Sequence, residues 1–328
     1  PYGNILGTLG NPNFIGSFLG IFSSVVISYS IFFFKKLKIL IFLIALTALT
    51  LFEIVQSRAI QGRVLFAVGI AINLYFLIRA HFSYFLVWFF FMVLSVVIGI
   101  FSVLGTLQIG PLTKLLYKDS VSLRGEYWHA GLVMGKNNLL SGVGFDSYGD
   151  WYRTARRSSA LVKPGPETVS NTAHNVFIDM FAFGGLPLFA SYLAITILVI
   201  FSIIRQTRSI KHFNPLFVSL VGAWAGYQIQ SIISINQIGL AIWGWILGSA
   251  ILAYERFRPV SNLSSRTSKG QIKATIKTEQ IISPSVRAGI LVGVSLFVSI
   301  PPLSADMKWM SAQQSRDLAK VEESLNPS

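Results

Sequence analysis

Arg58 and Arg63 carry guanidinium groups at the end of the chain's apolar runs where other basic residues are scarce. A guanidinium offers a planar fork of donors that matches phosphate oxygens. Gln56-Ser57-Arg58-Ala59 is therefore a candidate phosphate-binding turn, whereas Arg63 is better read as snorkelling to lipid headgroups, with substrate binding as the alternative. Arg153, Arg156 and Arg157 form a second basic stretch, which could hold an anionic substrate or face headgroups. In Ala173-His174-Asn175 the imidazole can accept a proton near neutral pH, or it can cap a helix. Asp179 falls on the helical face of Asn175 and not of His174, so a His–Asp dyad is not expected. The four histidines, His81, His129, His174 and His212, lack metal-ligand spacing, and there is no Asp-x-Asp pair, P-loop or dinucleotide fingerprint. No metal and no cofactor are expected.

These residues have to be positioned by membrane-spanning helices. Hydrophobic residues make up 53% of the 328 and charged residues 12%, about half of what a soluble domain carries. That balance excludes a soluble enzyme. The segment from Phe14 to Phe34 has no charge, and neither has the one from Phe213 to Tyr254, which fits two crossings hinged at Asn236-Gln237. The expected fold is an all-α, polytopic transmembrane helical bundle. Eight spans are read at about 14–34, 37–55, 63–79, 82–105, 174–204, 213–235, 238–254 and 287–303.

The net charge of +14 sits in short loops between these runs, which is the pattern of a membrane protein and not of a nucleic-acid binder. Loops holding Lys35, Lys36, Lys38, Arg79, Arg205, Arg208, Lys211, Arg256 and the basic residues up to Arg287 alternate with loops of which the short ones hold only Arg58 and Arg63. The first set is assigned to the cytoplasm, which places 105–173 outside. The expected domains are spans over 1–105, an extracytoplasmic loop domain over 106–173, spans over 174–254, a cytoplasmic linker over 255–286, a last span over 287–303 and an outer tail over 304–328. The chain opens Pro1-Tyr2-Gly3-Asn4 without Met, so it is expected to be truncated at its N terminus. Within the loop domain, Leu123, Tyr127, Ala130 and Met134 recur at helical spacing, predicting a helix along the membrane surface. The glycine-rich turn Gly142-Val143-Gly144 follows it.

Gly7-Thr8-Leu9-Gly10-Asn11-Pro12-Asn13, Ser57-Arg58, Arg124 with Trp128, Gly142-Val143-Gly144 and Ala173-His174-Asn175 occur in the order seen in O-antigen ligases and polymerases. The chain resembles that family over residues 3–254. Leu188 stands where the family has a small residue or Tyr. The resemblance implies a membrane-embedded, metal-independent glycosyltransferase with an undecaprenyl-pyrophosphate-linked glycan as donor. It also implies a place in the bacterial inner membrane, with the active site facing the periplasm or exterior. By similarity Arg58 and Arg124 would bind the pyrophosphate, and His174 would be the general base for an inverting attack by the acceptor hydroxyl. Trp128 and Asn175 would contribute to substrate binding. Asn11 and Asn13 would line the cavity, or Asn11-Pro12 would simply open a helix. The acceptor could be lipid A core, a growing glycan or a protein. A transporter of the same lipid-linked glycan would also want arginines and a cavity, but no base at position 174.

Overall fold

A computed structural model describes residues 9–82, 85–106, 109–111, 113 and 123–256, and beyond them only the single positions 289, 293 and 304. The chain divides into two units, Pro1–Pro259 and Val260–Ser328. Everything below concerns the first. The linker from 257, the span expected at 287–303 and the outer tail lie outside the described residues, apart from those three positions.

The described secondary structure is helical throughout. Helix α1 (Pro12–Phe32), α2 (Leu37–Gln56), α3 (Ile60–His81) and α4 (Phe85–Thr106) run up and down before the long segment. That segment contains α5 (Arg124–Asn137), α6 (Tyr148–Ala155) and a 3-10 turn, Ser158–Leu161. Then come α7 (Val176–Ser209), α8 (Pro215–Ile233) and α9 (Ile238–Arg256). Among the described residues, six helices are long and apolar enough to cross a membrane: α1, α2, α3, α7, α8 and α9. The apolar stretch of α4, Phe85–Phe101, is shorter. Helices α8 and α9 meet at a short turn containing Asn236 and Gln237, where the two-crossing hairpin was expected to hinge.

Small residues draw the bundle together. Gly16, Ser17, Gly20, Ser23, Ser24 and Ser28 form the buried face of α1, and small side chains let helix backbones approach closely in an apolar medium. A Cβ on Gly62 of α3 would fall 2.6 Å from the Gly16 carbonyl oxygen. Buried polar groups satisfy one another across this seam: Ser28 donates to Asn73 at 2.7 Å, and the Asn73 amide donates to Gly69 O at 2.9 Å. Ile21, Leu65, Val199, Trp224, Tyr227 and Leu247, from α1, α3, α7, α8 and α9, close an apolar core.

Helix α7 departs from the expected single crossing starting at 174. Thirty-four residues of continuous helix would measure about 51 Å, far more than a hydrocarbon core of about 30 Å. The chain breaks it at Gly184 and Gly185, the latter at φ 63, with Pro187 in the first turn of the second half. The break frees two carbonyls, and both are taken up: Val143 donates to Ala182 O at 2.8 Å and Gly144 to Phe183 O at 3.0 Å. Leu186 donates in turn to Leu139 O at 2.7 Å. The first part of α7 thus belongs with α5 and α6. Gly131 seats Ile178, and Gly135 seats Phe181.

Candidate functional site

Up-and-down connectivity gathers the start of α1, the α2–α3 turn, the segment from α5 to Asn175 and the α8–α9 turn at one end of the bundle. The opposite end carries Arg79, which donates to Ile210 O at 2.7 Å, and the bidentate Arg205–Glu255 pair. Every candidate residue named above lies at the first end.

Arg124 begins α5 and is 6% exposed. Its Nη1 donates to the carbonyl of Ile233, at the end of α8. Its Nε is buried with no protein acceptor among the described residues. Burial lowers its pKa to about 10, so the guanidinium stays charged at neutral pH. Among the described residues no carboxylate pairs with it. A buried cation without a counter-ion is costly, and its natural complement is an anionic ligand.

His174 occupies the residue before α7's N-cap, and the cap itself is Asn175, whose Oδ1 accepts from Phe177 N at 3.0 Å and Ile178 N at 3.2 Å. The imidazole is therefore not spent on capping. Its backbone is left-handed, φ 55, and two bonds hold it there. His174 N donates to Thr172 Oγ1 at 3.1 Å, and Ala173 N donates to the buried carboxylate of Asp179 at 2.6 Å. Asp179 thus secures the turn beside the imidazole and does not touch the ring. The His174 ring stacks on Tyr127, with centroids 5.6 Å apart. Burial, and then the charge of Arg124, pull its pKa down to about 4. It is a neutral base over the whole physiological range.

Arg58 also adopts a left-handed backbone, φ 54, at the exposed turn between α2 and α3. Glycine or asparagine usually fills this position after a helix. Here the turn is braced: Ser57 Oγ donates to Ile54 O at 2.7 Å, and the Ser57 side chain fits against Gly16 of α1. Three residues on, Gln61 Nε2 lies 3.4 Å from the Ile233 carbonyl that Arg124 also holds. The arginine turn and α5 are joined through one acceptor.

The remaining sequence candidates separate. Asn11 caps α1, accepting from Asn13 N at 2.8 Å, so the plain helix start describes it. Arg63 is exposed on α3. Trp128 lies four residues after Arg124, its Nε1 buried without a protein partner among the described residues. Arg153 faces Glu167 across 3.9 Å. Arg156 donates to Pro166 O at 2.9 Å and Thr168 O at 3.3 Å, tying its own loop. Arg157 is exposed. Sequence reasoning missed Gln61 and the tyrosine group around His174. Tyr152 packs edge-on against Tyr127, is fully buried, and its hydroxyl has no protein partner among the described residues. Burial first, and then Tyr127, push its pKa up to about 12, which keeps it a neutral donor. The available signal was the uncharged polar residues inside apolar helices. Among the described residues no three His, Asp or Glu side chains gather as metal ligands would.

No curated protein and no solved structure matches the chain. Residues 55–193 match the family model described as O-antigen ligase. That stretch runs from the α2–α3 turn into α7, so it includes Arg58, Arg124, Trp128, His174 and Asn175 but leaves out Asn11 and Asn13. Over this segment the chain is similar to the O-antigen ligase family.

Proposed function

We propose that the protein is a membrane glycosyltransferase that moves a glycan from an undecaprenyl-pyrophosphate-linked donor to an acceptor hydroxyl. The observation that carries this is a buried Arg124 with no carboxylate partner among the described residues, one turn of α5 from Tyr127, on which the His174 imidazole stacks. Breaking the anomeric C–O bond leaves negative charge on the departing diphosphate. Arg124, with Arg58 on the α2–α3 turn at the same end of the bundle, would stabilise that charge, and a fixed guanidinium shielded from water does so more strongly than an exposed one. The neutral His174 would take the proton from the acceptor hydroxyl as it attacks from the opposite face, inverting the anomeric centre. Tyr127 holds the imidazole plane, and Trp128 and the exposed Arg63, Arg153 and Arg157 lie where an extended substrate could run. The reaction needs no metal in this scheme because arginines supply the positive charge. The site end would face the periplasm or exterior of a bacterial inner membrane, since the short loops at the opposite end hold Lys35, Lys36, Lys38, Arg79, Arg205, Arg208, Lys211 and Arg256, whereas the short α2–α3 connection at the site end has Arg58 and Arg63 alone beside it.

The test is transfer by the purified protein from a defined polyprenyl-diphosphate glycan to a panel of acceptors: lipid A core, oligosaccharide and protein. Transfer that persists in chelator and is lost in both Arg124→Ala and His174→Ala is the expected result. Full activity in His174→Ala sinks the base assignment, and loss in chelator sinks the arginine-for-metal scheme. Donor translocation with no transfer to any acceptor would instead mark a transporter.

A further inference from the structure

The Ile233 carbonyl is one of the last-turn carbonyls of α8 that the helix cannot satisfy, because Ser234 turns away into extended backbone, φ −146. It accepts from two side chains on two other helices, Arg124 Nη1 and Gln61 Nε2. A carbonyl oxygen has two lone pairs, so the two donors can each take one. Behind Gln61 lies Ser17 of α1, whose Oγ is 3.3 Å from Gln61 Oε1 and 2.8 Å from Gln230 Oε1. A hydroxyl has a single hydrogen and cannot donate to both. Turning the Gln230 amide end for end lets its nitrogen, otherwise buried without an acceptor among the described residues, donate to Ser17, whose hydrogen then goes to Gln61. The chain Gln230, Ser17, Gln61, Ile233 then runs in one donor direction. Ser17, Gln61 and Gln230 are all at most 5% exposed.

We infer that Gln61 is a positioning residue for Arg124: supported by Ser17 and Gln230, it fixes the Ile233 carbonyl and so the direction in which the guanidinium points. This deepens the glycosyl-transfer proposal and rests on it for its kinetic consequence. Without the Gln61 amide, Arg124 keeps its charge and loses its aim. Ground-state attraction for a diphosphate depends mostly on charge, whereas stabilising the departing oxygen depends on direction.

The experiment compares wild type, Gln61→Met, Ser17→Ala and the double variant, in the full chain in detergent with the polyprenyl-diphosphate glycan donor. In Gln61→Met, kcat falls about tenfold or more while donor KM moves less than about threefold. Ser17→Ala loses about threefold in kcat, and the double variant is no slower than Gln61→Met, because both break one chain. A second readout needs no transfer activity. The 15N signals of the Arg124 guanidinium, assigned with Arg124→Lys, show faster rotation about Nε–Cζ in Gln61→Met than in wild type. An unchanged guanidinium signal, a kcat within twofold of wild type at unchanged melting temperature, or multiplying losses in the double variant would each overturn the inference. A raised donor KM at unaltered kcat would also overturn it, by making Gln61 a direct donor contact. A faster guanidinium in a protein that transfers no glycan would leave the positioning role standing and remove the transferase proposal instead.

Discussion

Two arginines in this molecule do the same local thing at opposite ends of the bundle. Arg79 donates to Ile210 O at the end of α7, and Arg124 donates to Ile233 O at the end of α8. Both positions are favourable, because a helix C terminus carries partial negative charge. They differ in surroundings. Arg79 is part-exposed, at the basic end of the bundle, where water and headgroups share its charge. Arg124 is 6% exposed, with a buried Nε left over and a neutral imidazole beside it. One contact anchors a helix end; the other, on the proposed function, holds a charge for the donor's diphosphate. The same hydrogen bond means different things according to how much water the guanidinium has lost.

The strongest way to break that comparison is to exchange the two losses. Arg124→Ala should lower transfer about a thousandfold, and Arg79→Ala less than about twofold, because only the dehydrated guanidinium meets developing charge. Transfer rates from a defined lipid-linked donor, with melting temperature in detergent as the control for folding, check it. Equal effects at both sites would mean that Arg124, too, is only an anchor.

His174 sharpens the same contrast through pH. His174→Ala should cost about a hundredfold in kcat. A base with pKa about 4 is neutral above that value, so kcat/KM of the wild type should show no acid limb until pH approaches 4. Burial is the larger cause of the depression and Arg124 the smaller. In Arg124→Met the imidazole should therefore titrate at a higher pH than in wild type, followed by NMR of the ring nitrogens. The stability sign follows from the same shift. The unfolded chain takes up the proton near 6.5 and the folded protein only near 4, so His174 costs stability as pH falls through that interval. His174→Ala should flatten the fall in melting temperature between those two values. An acid limb near 6.5 would show that the imidazole is not shielded.

Much of this end of the molecule was legible in the sequence, for physical reasons that differ by residue. Tyr127, Ala130 and Met134 repeat at the helical period, and α5 buries Ala130 and Met134 and half-buries Tyr127. Arg58 stood out because guanidinium on that side opposes the charge distribution of the loops. The Asn236-Gln237 hinge followed from length alone. The Gly184-Gly185 break did not, since hydropathy sums over the whole run and outweighs the breaker signal that Gly184-Gly185 and Pro187 do carry. What held Arg124 was equally hidden: its acceptor is a backbone carbonyl more than a hundred residues away, and backbone carbonyls leave no trace in residue type. A carboxylate inside an apolar helix, as Asp179 is, is costly by its type alone, but its partner, Ala173 N, is again backbone. Side-chain identity reported which groups were unusual, and the fold alone supplied their partners.

Asp179 gives the next smaller effect. Asp179→Ala leaves the buried Ala173 N–H without its acceptor, a loss of about 1–3 kcal/mol. Asp179→Asn keeps an oxygen there and should retain most of that stability. If Asp179 only holds the turn, kcat should fall in step with disorder at His174, and the acid limb should stay where it is in Asp179→Asn. A displaced limb would place the carboxylate in the proton path and enlarge the site.

The smallest effect belongs to the far end. Arg205 meets Glu255 in a bidentate pair, with Nε to Oε1 at 2.6 Å and Nη2 to Oε2 at 2.9 Å, yet the Arg205 side chain is 60% exposed. Good geometry counts for little where water competes for both partners and salt screens them. Arg205→Gln should leave transfer unchanged and move the melting temperature by about a degree or less. Raising ionic strength should erase even that difference, while leaving the effect of Arg124→Ala intact, because the buried guanidinium is screened much less. If salt instead abolished the Arg124 effect as well, the two ends would be electrostatically alike, and the contrast between an anchored and a poised arginine would fail at its root.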